Sequence, residues 1–288
     1  MTLRAIIARI VDQESVNFLL TNRVPRRLLT RFMGWFSRIE QPLVRDLSIG
    51  AWRLFCDVDL KDAKKTEFAS LHDCFVRKLK DGARAVEMDP AVLVSPCDGI
   101  VGACGTVTEG KLLQIKGRSY PLQELLGSPA WAGEYCGGRY VTLRLTAGMY
   151  HRFHAPADCA VEQVVYISGD VWNVNPPALK RVDKLYCRNE RALLRMQLAA
   201  GGHVVTLVPV AAILVAGIRL RFLNLSFNLT HAPVTVIPCD ARLRKGEEMG
   251  RFEHGSTIIV LAPDGFALCD GVQEGGVVRM GEPLMRLP

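Results

Sequence analysis

The chain is expected to be an α+β protein, with amphipathic helices at its N-terminus followed by a mostly antiparallel β core of sandwich or barrel-like form. Three observations predict this. Apolar residues early in the chain recur at helical spacing, whereas from about Pro90 short β-branched runs alternate with turn residues. Hydrophobic residues make up 49% of the 288, enough to bury a sizeable core. The change of texture near residues 85–90 divides the expected helical region, 1–88, from the β-rich region, 89–288.

The opening stretch, "MTLRAIIARIVDQESV", interrupts its apolar run with Arg9, Asp12 and Glu14 and offers no small-residue cleavage site, so it does not read as a secretory signal. "NRVPRRLLTRFMGWFSRIEQPL" follows. A helix starting near Pro25 places Leu29, Phe32, Met33 and Phe36 on one face and Arg27, Arg31 and Arg38 on another, with Trp35 near the boundary. The net charge is +7, and residues 1–54 supply +5 of it through nine arginines against four acids. A basic, apolar helix of this kind fits an anionic lipid interface better than nucleic acid. The alternative is a helix that packs its apolar face on its own domain. Further on, "SLHDCFVRKL" carries a capping pattern from Ser70 to Asp73 ahead of Phe75, Val76 and Leu79.

The strands are expected in "AVLVSPCDGIVGAC", "KLLQIKG", "RYVTLRLT", "CAVEQVVYISGDVW", "HVVTLVPVAAILV", "APVTVIP" and "GSTIIVLAPDG". The uncharged stretch from Met196 to Ile218 is long enough to span a bilayer. It contains Gly201, Gly202, His203, Pro209 and many β-branched residues, however, and so reads as one or two buried strands. Nine cysteines without a C-x-x-C pair read for the most part as small buried thiols in a reducing compartment, not as a disulfide or zinc framework. "GTVTEGKL", Gly105 to Leu112, matches a phosphate loop as far as Lys111. Leu112 then stands where a Ser or Thr would hold magnesium, and no helix pattern follows, so the match is rejected.

Chemistry concentrates in "YHRFHAP", Tyr150 to Pro156. Two histidines three apart beside Arg152 admit three readings: packing histidines, a metal pair without a convincing third ligand, or part of an Asp-His-Ser set with Asp98 of "SPCDG" and Ser256 of "HGSTI". Chain order Asp, His, Ser is compatible with a serine hydrolase, but "HGSTI" lacks the G-x-S-x-G elbow.

"LVSPCDGIV", "YHRFHAP", "ISGDVWNVNP" through "RNER", and "KGEEMGRFEHGSTIIV" occur in this order and together resemble the phosphatidylserine decarboxylase family, over essentially the whole chain. Cys97 stands where the family usually has Ala, and His254 where it often has Leu. The resemblance implies self-cleavage between Gly255 and Ser256, giving a β chain, 1–255, and an α chain, 256–288. It makes Asp98, His154 and Ser256 the cleavage triad, with Ser256 converted to a covalent pyruvoyl group in place of pyridoxal phosphate or a metal. That group would form a Schiff base with phosphatidylserine and release CO2 and phosphatidylethanolamine. His151 is the implied group for positioning the carboxylate or assisting protonation, with Arg152 a possible sharer. The implied partners are the lipid bilayer through the Arg27–Phe36 helix, phosphatidylserine, and a homodimer of cleaved protomers, with no nucleic acid. With no transit peptide read at the N-terminus, the expected location is peripheral, on the cytoplasmic face of a bacterial inner membrane. The rival readings are a serine hydrolase using the same three residues and a non-enzymatic peripheral lipid-binding protein.

Overall fold

The computed structural model describes residues 13–56, 58–214, 217–227, 234–253 and 256–288. Helices come first: α1 (Glu14–Asn22), α2 (Arg26–Phe36), α3 (Pro42–Phe55) and the short α4 (Leu71–Phe75). Pro42 opens α3 where its missing N–H costs nothing, and the Gln41 side chain caps it by accepting from Val44 N at 2.7 Å. The expected cap on α4 is present, Ser70 Oγ accepting from Asp73 N at 3.1 Å.

The strands are β1 (Val92–Val94), β2 (Gly99–Thr106), β3 (Lys111–Ile115), β4 (Arg118–Pro121), β5 (Arg139–Leu145), β6 (Arg152–His154), β7 (Cys159–Ile167), β8 (Arg191–Leu198), β9 (Val204–Ala211), β10 (Ile218–Leu220), β11 (Leu225–Phe227), β12 (Thr235–Leu243), β13 (Glu248–Phe252), β14 (Ser256–Ala262), β15 (Ala267–Leu268), β16 (Val277–Val278) and β17 (Pro283–Arg286). Short helices α5 (Leu122–Leu126) and α6 (Pro129–Gly133) follow β4, while α7 (Pro176–Leu179) and α8 (Leu185–Arg188) lie between β7 and β8.

Eight strands form the main sheet, in the order β12-β7-β8-β9-β14-β5-β2-β16. A second sheet runs β11-β10-β13-β6, and a third β1-β17-β15. Every pairing between named strands is antiparallel, and β12 and β16 are open edges, so the core is a sandwich-like stack and not a closed barrel. The stretch long enough to span a bilayer instead holds the end of β8, the whole of β9 and the first residue of β10. Among the described residues no helix is long and apolar enough to cross a membrane. The rejected phosphate-loop match is the turn between β2 and β3, where Glu109 and Gly110 take positive φ of 52° and 66°.

The first helices sit on this core in an unexpected orientation. Helix α2 turns Thr30, Gly34 and Ser37 inward and leaves Leu28, Phe32 and Trp35 exposed at 67%, 49% and 64%. Leu29, Met33 and Phe36 are half-buried between the two faces. Polar contacts pin the helix down. Arg26 pairs with Asp170 and lies 3.6 Å over the Trp172 ring, Arg27 donates to the Gly169 carbonyl at 2.8 Å, and Thr30 Oγ1 accepts from Leu214 N at 3.0 Å. Arg31 is exposed.

Candidate active site

Strand β14 lies between β9 and β5 in the main sheet, with all seven residues buried. Its apolar, β-branched sequence suits a strand covered on both faces. Ser256 opens it, opposite Leu145 on β5 and Ala211 on β9. It is 1% exposed, and its Oγ has no hydrogen-bond partner among the described residues. A buried hydroxyl without a partner carries a desolvation cost that core packing alone does not explain. The residue before it belongs to the step between β13, in the second sheet, and β14, in the main one. Gly255 and His254 in that step lie outside the described residues.

Two other motifs meet this step. The Phe252 amide donates to the His151 carbonyl at 2.9 Å, and the His154 amide donates to the Pro96 carbonyl at 2.8 Å. Strand β6 is thereby held between β13 and the "SPCDG" turn. His154 Nδ1 lies 2.8 Å from the Gly246 carbonyl, and Nε2 lies 3.0 Å from Tyr150 Oη. The carbonyl can only accept, which assigns the proton to Nδ1 and leaves Nε2 as the acceptor from Tyr150. Burial pushes His154 below the ordinary histidine range, although the Gly246 hydrogen bond and the charges of Glu248 and Asp98 oppose the shift. The imidazole is therefore held neutral, the form that takes a proton. Asp98 makes a different contact: Arg84 engages both of its oxygens, the shortest distance being 2.6 Å, and the Met280 amide donates to it at 2.9 Å. Among the described residues no hydrogen bond joins Asp98 to His154 or His154 to Ser256.

His151 is 1% exposed and stacks on Phe75 with ring centroids 4.1 Å apart. Arg152 is committed to the Val76 and Arg77 carbonyls and to Glu248. Just ahead of the undescribed step, Glu253 receives Arg38, two residues past α2, at 2.9 Å, His72 of α4 at 3.0 Å and Arg251 of β13 at 3.1 Å. Burial works against its ionisation, but the hydrogen bond and charge of His72 together with Arg251 outweigh it and hold the carboxyl down at about 2.

Ser256 opens onto a cavity of about 480 Å³ lined mainly by apolar residues. Met33, Trp52, Leu71 and Phe75 of α2, α3 and α4 form one side, and Leu145, Ala212, Ile213 and Leu214 continue from the strand ends. Arg144, Asn173, Asn175 and Thr146 add polar groups.

The phosphatidylserine decarboxylase family model matches residues 71–286, three quarters of the chain. A phosphatidylserine decarboxylase proenzyme of Aliivibrio fischeri is 33% identical over 279 residues, covering 91% of this chain and 95% of its own. Proenzymes of the same name from Yersinia pestis and Yersinia pseudotuberculosis are 33% identical over 288 residues, covering 94% of this chain and 96% of theirs. The chain belongs to the phosphatidylserine decarboxylase family.

In this phosphatidylserine decarboxylase family member, backbone hydrogen bonds join the His154 strand to the "SPCDG" turn and the His151 carbonyl to the end of β13, while the side chains of Asp98, His154 and Ser256 share no hydrogen bond among the described residues. Gly246, not Asp98, contacts the His154 ring. Cys97, where the family usually has Ala, is fully buried, and burial pushes its thiol well above the ordinary value, so it behaves as a small apolar group. Sequence reasoning missed Tyr150, Glu253 and Arg144. Tyr150 was inside a quoted motif and could have been weighed there. Glu253 meets Arg38 across 215 residues of chain, a separation that no local pattern spans.

Proposed function

We propose that the chain is a self-processing phosphatidylserine decarboxylase, which splits between Gly255 and Ser256 and carries a pyruvoyl group made from Ser256. The observation that carries this reading is the buried, unpartnered Ser256 hydroxyl at the head of a core strand, opening onto an apolar cavity. In the maturation step Ser256 Oγ attacks the Gly255 carbonyl and the amide becomes an ester. Loss of the Ser256 α-proton then expels the Gly255 carboxylate, and water releases the nitrogen of residue 256 as ammonia.

His154 suits the role of base for the first step, being neutral with Nε2 as its acceptor. Tyr150 donates to that nitrogen, so its hydroxyl must turn aside or relay the proton. Asp98 acts on the imidazole through its charge, which favours the protonated form. The Arg38, His72 and Arg251 contacts to Glu253 fix the chain just ahead of the scissile bond.

A pyruvoyl group at residue 256 supplies the electron sink that loss of CO2 from an amino acid requires. Around it, Leu145, Ala212 and Phe75 exclude water, and His151, stacked behind Phe75, is assigned the delivery of a proton after CO2 leaves. The exposed Leu28, Phe32 and Trp35 lie on the helix whose Met33 lines the same cavity. A bilayer against α2 therefore presents its head groups beside Ser256, and the protein needs no span to reach its lipid.

Intact mass under denaturing, reducing conditions tests the reading. Wild type should give two chains, the smaller being residues 256–288 less one ammonia with a blocked N-terminus. Ser256→Ala should give one chain and release no CO2. An unbroken wild-type chain that reacts with a fluorophosphonate would replace this reading with a serine hydrolase, and an unbroken, unreactive one with a lipid-binding protein.

A further inference from the structure

Strand β5 ends in Arg144 and Leu145, and Leu145 pairs with Ser256 across the sheet. Side chains alternate along a strand, so Arg144 and its cross-strand partner Thr257 point to the face opposite Ser256. The cavity lies at the strand ends, where Arg144 to Ala147, Ala212 to Leu214 and Ser256 line it. Arg144 lines it together with Asn173 and Asn175. It is half-buried, is the one charged residue on the cavity wall, and makes no hydrogen bond or ion pair among the described residues. Arginines elsewhere near the site, such as Arg38, Arg84 and Arg152, are paired with carboxylates. A guanidinium in largely apolar surroundings without a counter-ion is costly to keep unless an anion joins it.

Resting on the decarboxylase reading, we propose that Arg144 binds the phosphodiester of the lipid substrate and leaves its carboxylate free of cationic contact. The substrate offers both anions, and their chemistry separates them. A carboxylate loses its charge as CO2 departs, so a guanidinium placed on it would stabilise the ground state more than the transition state and slow the reaction. The phosphodiester keeps its charge throughout. Binding it contributes equally to ground state and transition state, and it is present in the product as well.

The assignment is tested with Arg144→Gln and Arg144→Lys, each first checked for splitting. For Arg144→Gln, KM for phosphatidylserine in mixed micelles should rise roughly 10- to 100-fold, while kcat falls by much less. Arg144→Lys should recover part of the loss. In a Ser256→Ala background, which cannot form the cofactor, binding of a short-chain phosphatidylethanolamine should weaken by the same factor when Arg144→Gln is added. Unchanged phosphatidylethanolamine binding together with an altered kcat would place Arg144 at the carboxylate and overturn the proposal, as would unchanged KM and unchanged binding. If the wild type neither splits nor releases CO2, the decarboxylase reading fails, and the binding comparison still decides whether Arg144 holds a phosphodiester.

Discussion

Strand β14 buries all seven of its residues, from Ser256 to Ala262, whereas α2 buries Thr30, Gly34 and Ser37 and shows Leu28, Phe32 and Trp35 to the outside. In the strand, burial follows hydropathy and the exceptions are the adjacent hydroxyls of Ser256 and Thr257; in the helix the usual order is inverted. Each large apolar side chain left in water forgoes about 1.5–3 kcal/mol. Three such side chains on one helix are what the proposed contact with a bilayer would cover. Leu19 and Leu20 on α1 and Leu43, Leu47, Leu54 and Phe55 on α3 are exposed too, so the pattern extends over the helical face.

The most severe test of this contrast is to make the outer face of α2 polar. Phe32→Glu combined with Trp35→Glu should weaken binding to anionic vesicles by about 100-fold or more, measured by co-sedimentation. Thermal unfolding without lipid should hardly move, because neither side chain is packed inside. Lost stability with unchanged vesicle binding would show that this face is covered by protein.

Glu253 is where the two regions touch, since it receives Arg38, just past α2, and sits just ahead of β14. Its folded value of about 2 lies below the ordinary 4.5, so the stabilisation is fully present above about pH 4.5 and is lost as the pH falls towards 2. The shift corresponds to roughly 3 kcal/mol, owed to His72 and Arg251 acting against burial. Glu253→Gln should lower stability to urea at pH 7 by an amount of that order and flatten its dependence on acid between pH 4.5 and 2. Splitting should slow as the preceding segment loosens. Equal urea midpoints for variant and wild type at pH 7 would remove Glu253 from this role.

What could be read in advance follows the same division. Strands β5, β7, β9 and β14 were visible because β-branched runs bounded by turn residues express a local preference. The Ser70 cap lies within four residues and was visible for the same reason. Grouping Ser256, His154 and Asp98 rested on the family resemblance, because they sit on β14, β6 and the turn before β2, segments far apart in sequence that no local pattern links. The seat of α2 was hidden for a different reason. Thr30, Gly34 and Ser37 carry little hydropathy, so a helix wheel weighted by apolar residues puts Leu29, Phe32, Met33 and Phe36 in command and overlooks the small seam. Arg144 was hidden inside an apolar strand pattern, and only the structure shows that it lines the cavity without a hydrogen bond or ion pair among the described residues.

That seam yields the smallest effect and a pointed one. Leu214 adopts a positive φ of 66°, a conformation that costs a non-glycine residue about 1–2 kcal/mol, and its amide donates to the buried Thr30 hydroxyl. Leu214 also lines the cavity, so one hydrogen bond ties a strained piece of the cavity wall to α2. Thr30→Val keeps the shape and removes the acceptor, leaving the Leu214 amide without its partner. A loss of about 1–2 kcal/mol is expected, seen as a fall in melting temperature of roughly 2–4 °C. Thr30→Ser, which retains the hydroxyl, should lose less than half as much. Vesicle binding should be preserved in both, because Leu28, Phe32 and Trp35 are untouched. If Val and Ser behave alike, the seam is a matter of size alone, and the helix is seated by packing and its arginine contacts rather than by this bond.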